Sequence, residues 1–369
     1  MNSHVFNIQP VHRFAGSNAA IRRPREFACF SYDADRNLHL DESSLNYYYP
    51  PRLPADLNQG FESFQKLDDT VDEHLDALLE TLIAYEKEHG AKCEADVITW
   101  RGMMTKILTA PFEITNGFEM NATYFQGSIF IEENNAYKIK QKEIQRNQPT
   151  PPGMPSQDLM AYWGYKFEAI SVIPDIWDAV SREQIEDRPN QVVNNKAQYC
   201  SVVRTGFGKT KLIIGGEVDA VWDCKPARKE DPINWVELKT TSELYTDRDR
   251  IKYEHKLLKF WAQSFLLGVP KVIIGFRDRN GILLRIEEIE THTIPSMVKK
   301  SRTASWDGNI CINFTAAFLD WLKTVVNGPG VWRIRKREKL PYIEVFKIED
   351  GGHGSILSPS FIKWRTTKT

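Results

Sequence analysis

At 369 residues the chain is long enough for one large domain or two ordinary ones, and its 41% hydrophobic and 26% charged content is that of a soluble globular protein with a sizeable core. A net charge of −1 excludes a global basic field, so any nucleic-acid binding must come from a local groove. Five scattered cysteines without C-x-x-C speak against a disulfide framework or a zinc site, no apolar run reaches the ~18–20 residues of a membrane span, and the start M-N-S-H-V-F-N-I-Q-P is no signal peptide.

The first 60 residues, aromatic and punctuated by proline, read as short strands and irregular chain around a core. A helix is expected at 69–89, capped by Asp69 or Thr70, striped by Val71, Leu75, Leu78, Leu79 and Leu82, and stopped by Gly90. Residues 95–110 read as a strand end leading into a helix, and 122–133 as a strand pair around Gln126-Gly127. The stretch 138–157, with four prolines from Pro149 to Pro155, reads as an exposed connection. A helix resumes near Leu159 and carries G-Y-K-F-E at 164–168. Strands follow at 199–206, 210–222 and 233–240, then a helix at 249–267 and a strand at 271–276, which the Asn280-Gly281 turn joins to the next. A helix at 312–326 and strands near 331–337 and 342–348 close the chain. The order over 159–276 implies a mixed central sheet flanked by helices.

The chemistry concentrates in G-G-E-V-D-A at 215–220 and W-V-E-L-K-T-T at 235–241. On a strand, Glu217 and Asp219 share one face, as do Glu237 and Lys239. If the two strands are neighbours, three carboxylates and one ammonium converge, and the carboxylates repel unless a cation sits among them. Ligands that are all oxygen favour a hard ion, Mg²⁺ or Mn²⁺, and the lysine favours an anionic substrate. The plain alternative is an exposed ion-pair ladder, but the flanking Leu212, Ile213, Ile214, Val221 and Trp222 mark buried strands, where a bare ladder is costly. Glu168 on the preceding helix supplies a fourth carboxylate, completing a ligand set for two ions. Lys256, Lys259 and Gln263 fall on one helix face, where Gln263 can meet a phosphate or a metal-bound water. Arg101 suits bidentate phosphate contact. R-I-R-K-R-E-K at 333–339 is either an import or nucleic-acid patch or one solvated strand face. This set points to metal-dependent hydrolysis of a phosphate ester or anhydride. In a two-metal mechanism the ions, ~4 Å apart, bind the scissile phosphate while Lys239 neutralises developing charge.

W-R-G at 100–102, G-Y-K-F-E at 164–168, G-E-V-D at 216–219, E-L-K-T at 237–240, K-L-L-K-F-W-A-Q-S-F at 256–265 and G-F-R-D at 275–278 occur in that order. Together they resemble the motifs of the DXO-type family of RNA 5′-end decapping enzymes, and most closely its fungal branch, which partners the large nuclear 5′→3′ exoribonuclease. The resemblance implies a single α/β (α+β) domain over 1–369, with two packed mixed β-sheets flanked by helices and a PD-(D/E)xK-nuclease-like core at about 95–280. It implies removal of pyrophosphate from 5′-triphosphate RNA and removal of unmethylated or NAD caps, in some members with cleavage of 5′-hydroxyl RNA or exonuclease activity. By motif, Glu168, Glu217, Asp219, Glu237 and the Leu238 carbonyl become metal ligands. Lys239 and Gln263 contact the scissile phosphate or attacking water, Arg101 holds a substrate phosphate, and Cys200 lines the substrate pocket. The partners implied are single-stranded RNA 5′ ends and the exoribonuclease, in the nucleus, with no membrane. The rival readings are a non-catalytic scaffold of that exonuclease and a PD-(D/E)xK DNA endonuclease.

Overall fold

The structure is a computed structural model that describes residues 3–16, 18–149, 153–228 and 231–367. Its strands are β1 (His4–Asn7), β2 (Ile21–Tyr32), β3 (Leu38–His39), β4 (Tyr47–Tyr48), β5 (Ala55–Asp56), β6 (Val97–Trp100), β7 (Phe118–Phe125), β8 (Ser128–Glu133) and β9 (Val172–Ile173). They continue with β10 (Gln198–Phe207), β11 (Thr210–Glu217), β12 (Ala220–Val221), β13 (Trp235–Ser242), β14 (Lys271–Arg277), β15 (Ile282–Glu290), β16 (Val331–Lys336) and β17 (Tyr342–Glu349). The helices are α1 (Asp76–His89), α2 (Arg101–Thr109), α3 (Asn135–Arg146), α4 (Gln157–Ile170), α5 (Arg182–Glu186), α6 (Asp247–Leu267), α7 (Ile294–Lys300), α8 (Gly308–Val325) and α9 (Pro359–Thr367).

Two mixed sheets form, as expected. A ten-stranded sheet runs β1-β17-β16-β7-β8-β6-β11-β10-β2-β3, and a seven-stranded one β5-β15-β14-β13-β12-β4-β9. The expected strand at 210–222 is broken, and the break builds the site. β11 belongs to the large sheet and ends at Glu217, whereas β12 belongs to the small sheet and begins at Ala220. Val218 and Asp219 carry the chain across, with Val218 N–H donating to the Tyr199 carbonyl. The strands expected at 199–240 are thus shared between two sheets rather than forming one central sheet.

Three other expectations change, and of the two readings of 333–339 the strand face holds. The N-terminal region holds the 12-residue β2, whose register against β10 shifts beside Pro24, where the ladder loses an N–H donor. The helix expected from residue 69 starts at Asp76. Asp68 accepts the Thr70 N–H, Asp72 accepts the His74 N–H, and His74 sits at φ 46°, so local side-chain turns hold 68–74 out of the helix. Val71 is accordingly exposed, while Leu75, Leu78, Leu79 and Leu82 are buried and Gly90 ends the helix at φ 67°. Much of the expected connection is helix α3, capped by Asn134 and tied to Asp69 through Lys142; residues 150–152 of that stretch lie outside the described ones. Arg333 and Arg335 face Glu119 and Glu344 at 2.6 and 3.0 Å, an ion-pair ladder on β16 and not an open basic patch.

Candidate active site

β12 lies antiparallel to β13, with Ala220 opposite Val236. This sets Asp219 beside Leu238, whose N–H donates to Asp219 Oδ2 at 2.6 Å. Glu237 is 1% exposed, and its Oε1 meets both Lys239 Nζ at 2.6 Å and Arg101 Nη1 at 3.3 Å. Arg101 opens α2 directly after β6, which runs parallel to β11 with Trp100 beside Gly215. Glu168 comes from the last turn of α4, the helix packed on β13. The expected convergence of Glu168, Glu217, Asp219, Glu237, Lys239 and Arg101 is therefore observed. It arises from the expected neighbouring strands, β12 beside β13, together with the crossing at Val218-Asp219 and two helix ends.

The two glycines before Glu217 make room for this arrangement. A Cβ on Gly215 would fall 2.7 Å from the Trp100 ring, and one on Gly216 would fall 2.7 Å from Arg101 Cβ. Gly216→Ala is expected to displace Arg101 and lower turnover ~10–100-fold, at a cost of ~1–3 kcal/mol in stability. Steady-state kinetics alongside urea unfolding checks both effects, and unchanged kinetics would show that Arg101 has no need of its place.

Burial and crowding set the charges. Burial raises the Glu168 carboxyl well above its ordinary value, and the Asp219 charge adds to this. Burial and then Glu237 push Asp219 up to about 7, while burial also raises Glu217 despite the opposing charge of Arg101. Only Glu237 stays below the ordinary range, because Lys239 and Arg101 outweigh its burial. Lys239 is held above the lysine range by Glu237, Asp219 and Glu168, against burial. Four carboxylates, Glu237 buried and the other three half-buried, thus crowd around two cations, and without a further cation their charged forms are disfavoured. Glu237 Oε2 is moreover buried with no hydrogen-bond partner among the described residues. Leaving such an oxygen unsatisfied costs at least ~1–3 kcal/mol. A hard divalent cation answers both facts, and the oxygen-only donors fit one. Among the described residues no three His, Cys, Asp or Glu side chains are yet gathered closely enough to hold an ion; Glu237 is shared by Lys239 and Arg101 instead.

Cys200 stands opposite Glu217 across β10 and β11, and burial followed by the Glu217 charge keeps its thiol neutral. It is packed in the apolar core behind Glu217, outside the lining of the cavity beside that residue, and is not placed to act as a nucleophile. Gln263 on α6 is half-buried and free of hydrogen bonds to the described residues, one turn before Leu267, which touches the Gly216 position. The expected Lys256, Lys259 and Gln263 face is divided, because Lys259 pairs with Glu113 at 3.1 Å, just past the C-terminal end of α2. A chain of residues that sequence reasoning missed supports Glu217. Gln198 donates to Glu217 Oε2 at 3.2 Å and accepts from Arg36 at 2.6 Å; Arg36 grips Glu73 with two further bonds and lies over the Tyr32 ring. Nothing local marks Arg36, which sits at φ 69° in a polar turn far from Glu217 in sequence. A cavity of about 110 Å³ lies against Tyr165, Glu168, Asn195, Gln198, Glu217 and Asp219.

Comparison with known proteins gives this geometry a context. The family described as RAI1 like PD-(D/E)XK nuclease matches residues 22–362. The chain is 68% identical over 366 residues to "Decapping nuclease RAI1" of Aspergillus fumigatus, covering 99% of this chain and 100% of that protein. It resembles the crystal structure of Candida albicans Rai1 in complex with pU5 and Mn²⁺, with a TM-score of 0.91 and 32% identity over 100% of both chains. Scheffersomyces stipitis Rai1, in complex with (3′-NADP)⁺ and calcium, gives a TM-score of 0.89 at 30% identity over 99% of this chain and 100% of that one.

Proposed function

The chain belongs to the RAI1-like PD-(D/E)XK nuclease family and is a hydrolase acting on RNA; from that premise we propose that it removes pyrophosphate from 5′-triphosphate RNA and takes off unmethylated and NAD caps. One observation carries the reading: four crowded carboxylates, of which Glu237 is buried with an orphan oxygen, next to two cations aimed at the same spot.

In this reading Glu168, Glu217, Asp219, Glu237 and the Leu238 carbonyl hold one or two Mg²⁺ or Mn²⁺ ions, as the Mn²⁺ and calcium complexes of the two Rai1 proteins support. A bound ion supplies Lewis-acid polarisation of the phosphate and a water of lowered pKa. The chain's own groups do the rest. Lys239, kept charged by its carboxylate neighbours, meets charge that develops on the phosphoryl oxygens. Arg101 orients a substrate phosphate, Gln263 offers its free amide to the phosphate or the attacking water, and the Gln198–Arg36 chain holds Glu217 in place. Cys200, buried opposite Glu217, keeps water out on one side.

The test is product analysis on RNAs that differ only at the 5′ end: triphosphate, unmethylated cap, NAD cap and 5′-hydroxyl. Pyrophosphate from the first and intact cap from the second are the expected products, with Mg²⁺ or Mn²⁺ required. Cleavage of duplex DNA with all four RNAs left intact would favour an endonuclease. We further propose, from the resemblance of the motifs, that the protein works in the nucleus and stabilises a large 5′→3′ exoribonuclease. Loss of exonuclease half-life when the protein is omitted, and its rescue by an Asp219 variant, would separate that role from catalysis.

A further inference from the structure

Two lines of contact reach the acidic site from one short turn, residues 72–75, just ahead of α1. The backbone carbonyl of His74 accepts from Trp100 Nε1 at 2.8 Å, and Trp100 is the residue from which α2 and Arg101 start. The Trp100 ring lies against the Gly215 position and edge-on to Phe30. Glu73, the preceding residue of the turn, grips the Arg36 guanidinium, which holds Gln198 and through it Glu217. Arg101 and Glu217 therefore share a support, although they belong to different elements. That support is under strain, because His74 sits at φ 46°, in the left-handed region that side chains other than glycine rarely adopt.

The His74 side chain holds the turn in place. Its Nδ1 meets Glu132 Oε2 of β8 at 2.9 Å and lies 3.6 Å from Asp72. Glu132 is 3% exposed, and among the described residues His74 is the one basic side chain within ion-pair distance of it. The other Glu132 oxygen faces only the neutral amide of Asn121, at 3.4 Å. A carboxylate so buried is costly unless its partner is charged. The surrounding charges are committed elsewhere: Glu73 to Arg36, Glu133 to Lys106 and Lys138, and Asp69 to Lys142. Asp76, at the start of α1, adds negative charge from the remaining side. Burial opposes the imidazolium, but Glu132, Asp72 and Asp76 outweigh it and hold His74 above the ordinary histidine value. Burial raises Glu132 in turn, against the pull of His74. A cavity of about 210 Å³, bounded by His74, Trp100 and Glu132, gives protons access to the pair.

We propose that His74 and Glu132 are a positioning pair for hydrolysis: their ion pair clamps the turn 72–75, which places Arg101 through Trp100 and Glu217 through Glu73, Arg36 and Gln198. Neither residue touches the substrate or a metal. The proposal rests on the hydrolase function above and adds to it a proton-sensitive support. The sign follows from the direction of the shift. A histidine raised by its partner keeps that partner's stabilisation below its unfolded value, about 6.5, and loses it as pH rises through the higher folded value. The clamp is therefore closed at neutral pH and loosens on the alkaline side.

The experiment compares the full chain with His74→Gln, whose amide still donates to Glu132 but never carries charge. At about pH 6.5, kcat on 5′-triphosphate RNA is expected to be about tenfold lower in the variant, and calcium binding measured by calorimetry about tenfold weaker. Both ratios should shrink toward one by about pH 9, where the wild-type imidazole is also neutral. Glu132→Gln removes the other charge and should give the same converging ratios, which keeps the test open if one variant folds poorly. His74→Asn tolerates the left-handed backbone but is too short to reach Glu132, so it should lose as much as His74→Gln. Ratios that do not change with pH, or an asparagine variant equal to wild type, overturn the positioning pair. Wild-type protein that releases no product from any 5′ end, while the calcium ratios still converge, refutes the hydrolase reading and leaves the pair standing. Hydrolysis by the wild type with flat ratios refutes the pair alone.

Discussion

Asp219→Asn is expected to lower turnover of 5′-triphosphate RNA by at least about a thousandfold while the metal-free protein becomes no less stable. Asp219 is pushed up to about 7 because it is buried beside Glu237 and Glu217, so in the absence of a cation its charge strains the fold. The amide keeps an oxygen to accept the Leu238 N–H, which now bonds at 2.6 Å, so the crossing between the sheets survives. It removes one negative charge from a repelling set, and with it one ligand. Wild-type protein should therefore melt higher when Mn²⁺ or Mg²⁺ is added, by the binding free energy of the ion. The variant should melt at least as high as metal-free wild type and gain little from the metal. Calorimetry with and without Mn²⁺, beside a pyrophosphate-release assay, tests both halves. A variant that keeps wild-type turnover, or a wild type whose melting ignores divalent ions, would sink the assignment.

The largest effect on stability is expected far from the site, at Glu86→Ala. Glu86 of α1 is almost fully buried and accepts from the Cys93 N–H at 2.8 Å, Trp364 Nε1 at 2.9 Å and Arg365 Nη2 at 2.5 Å. It fastens the C-terminal helix α9 to α1 under the large sheet, with Phe361 packed on Phe130. Removing the carboxylate breaks its ion pair with the buried Arg365 guanidinium and strips the Cys93 and Trp364 N–H groups of their acceptor, and breaking such a buried pair costs ~3–5 kcal/mol. For a chain of this size that is a fall of roughly 5 °C in Tm. Turnover at 25 °C should survive, because the acidic site is built from other elements. A double-mutant cycle with Arg365→Met measures the coupling; a value below ~0.5 kcal/mol would mean that α9 is held by apolar packing alone.

The chemistry of this protein was legible in its sequence because strands and helices impose fixed periods. Spacing of two put Glu237 and Lys239 on one face, Asn280-Gly281 marked a turn, Gly90 marked a helix end, and the ordered motifs from Trp100 to Asp278 carried the family. Where local side-chain bonding competed with periodicity the reading slipped, as at Asp68 and Asp72, which hold residues 68–74 out of α1. Helix α9 was missed because its burial depends on Glu86, far away in the chain.

Sequence by itself determined which residues carry charge, which elements hold them, and that a divalent cation is needed to reconcile their carboxylates. Only the tertiary structure decided that Glu217 and Asp219 belong to different sheets, that Gln198 and Arg36 stand behind Glu217, and that Lys259 leaves the site for Glu113. The physical reason is that strand partners and long side chains are chosen by packing between distant segments. Alternation along one strand specifies a face, but not which sheet that face will meet.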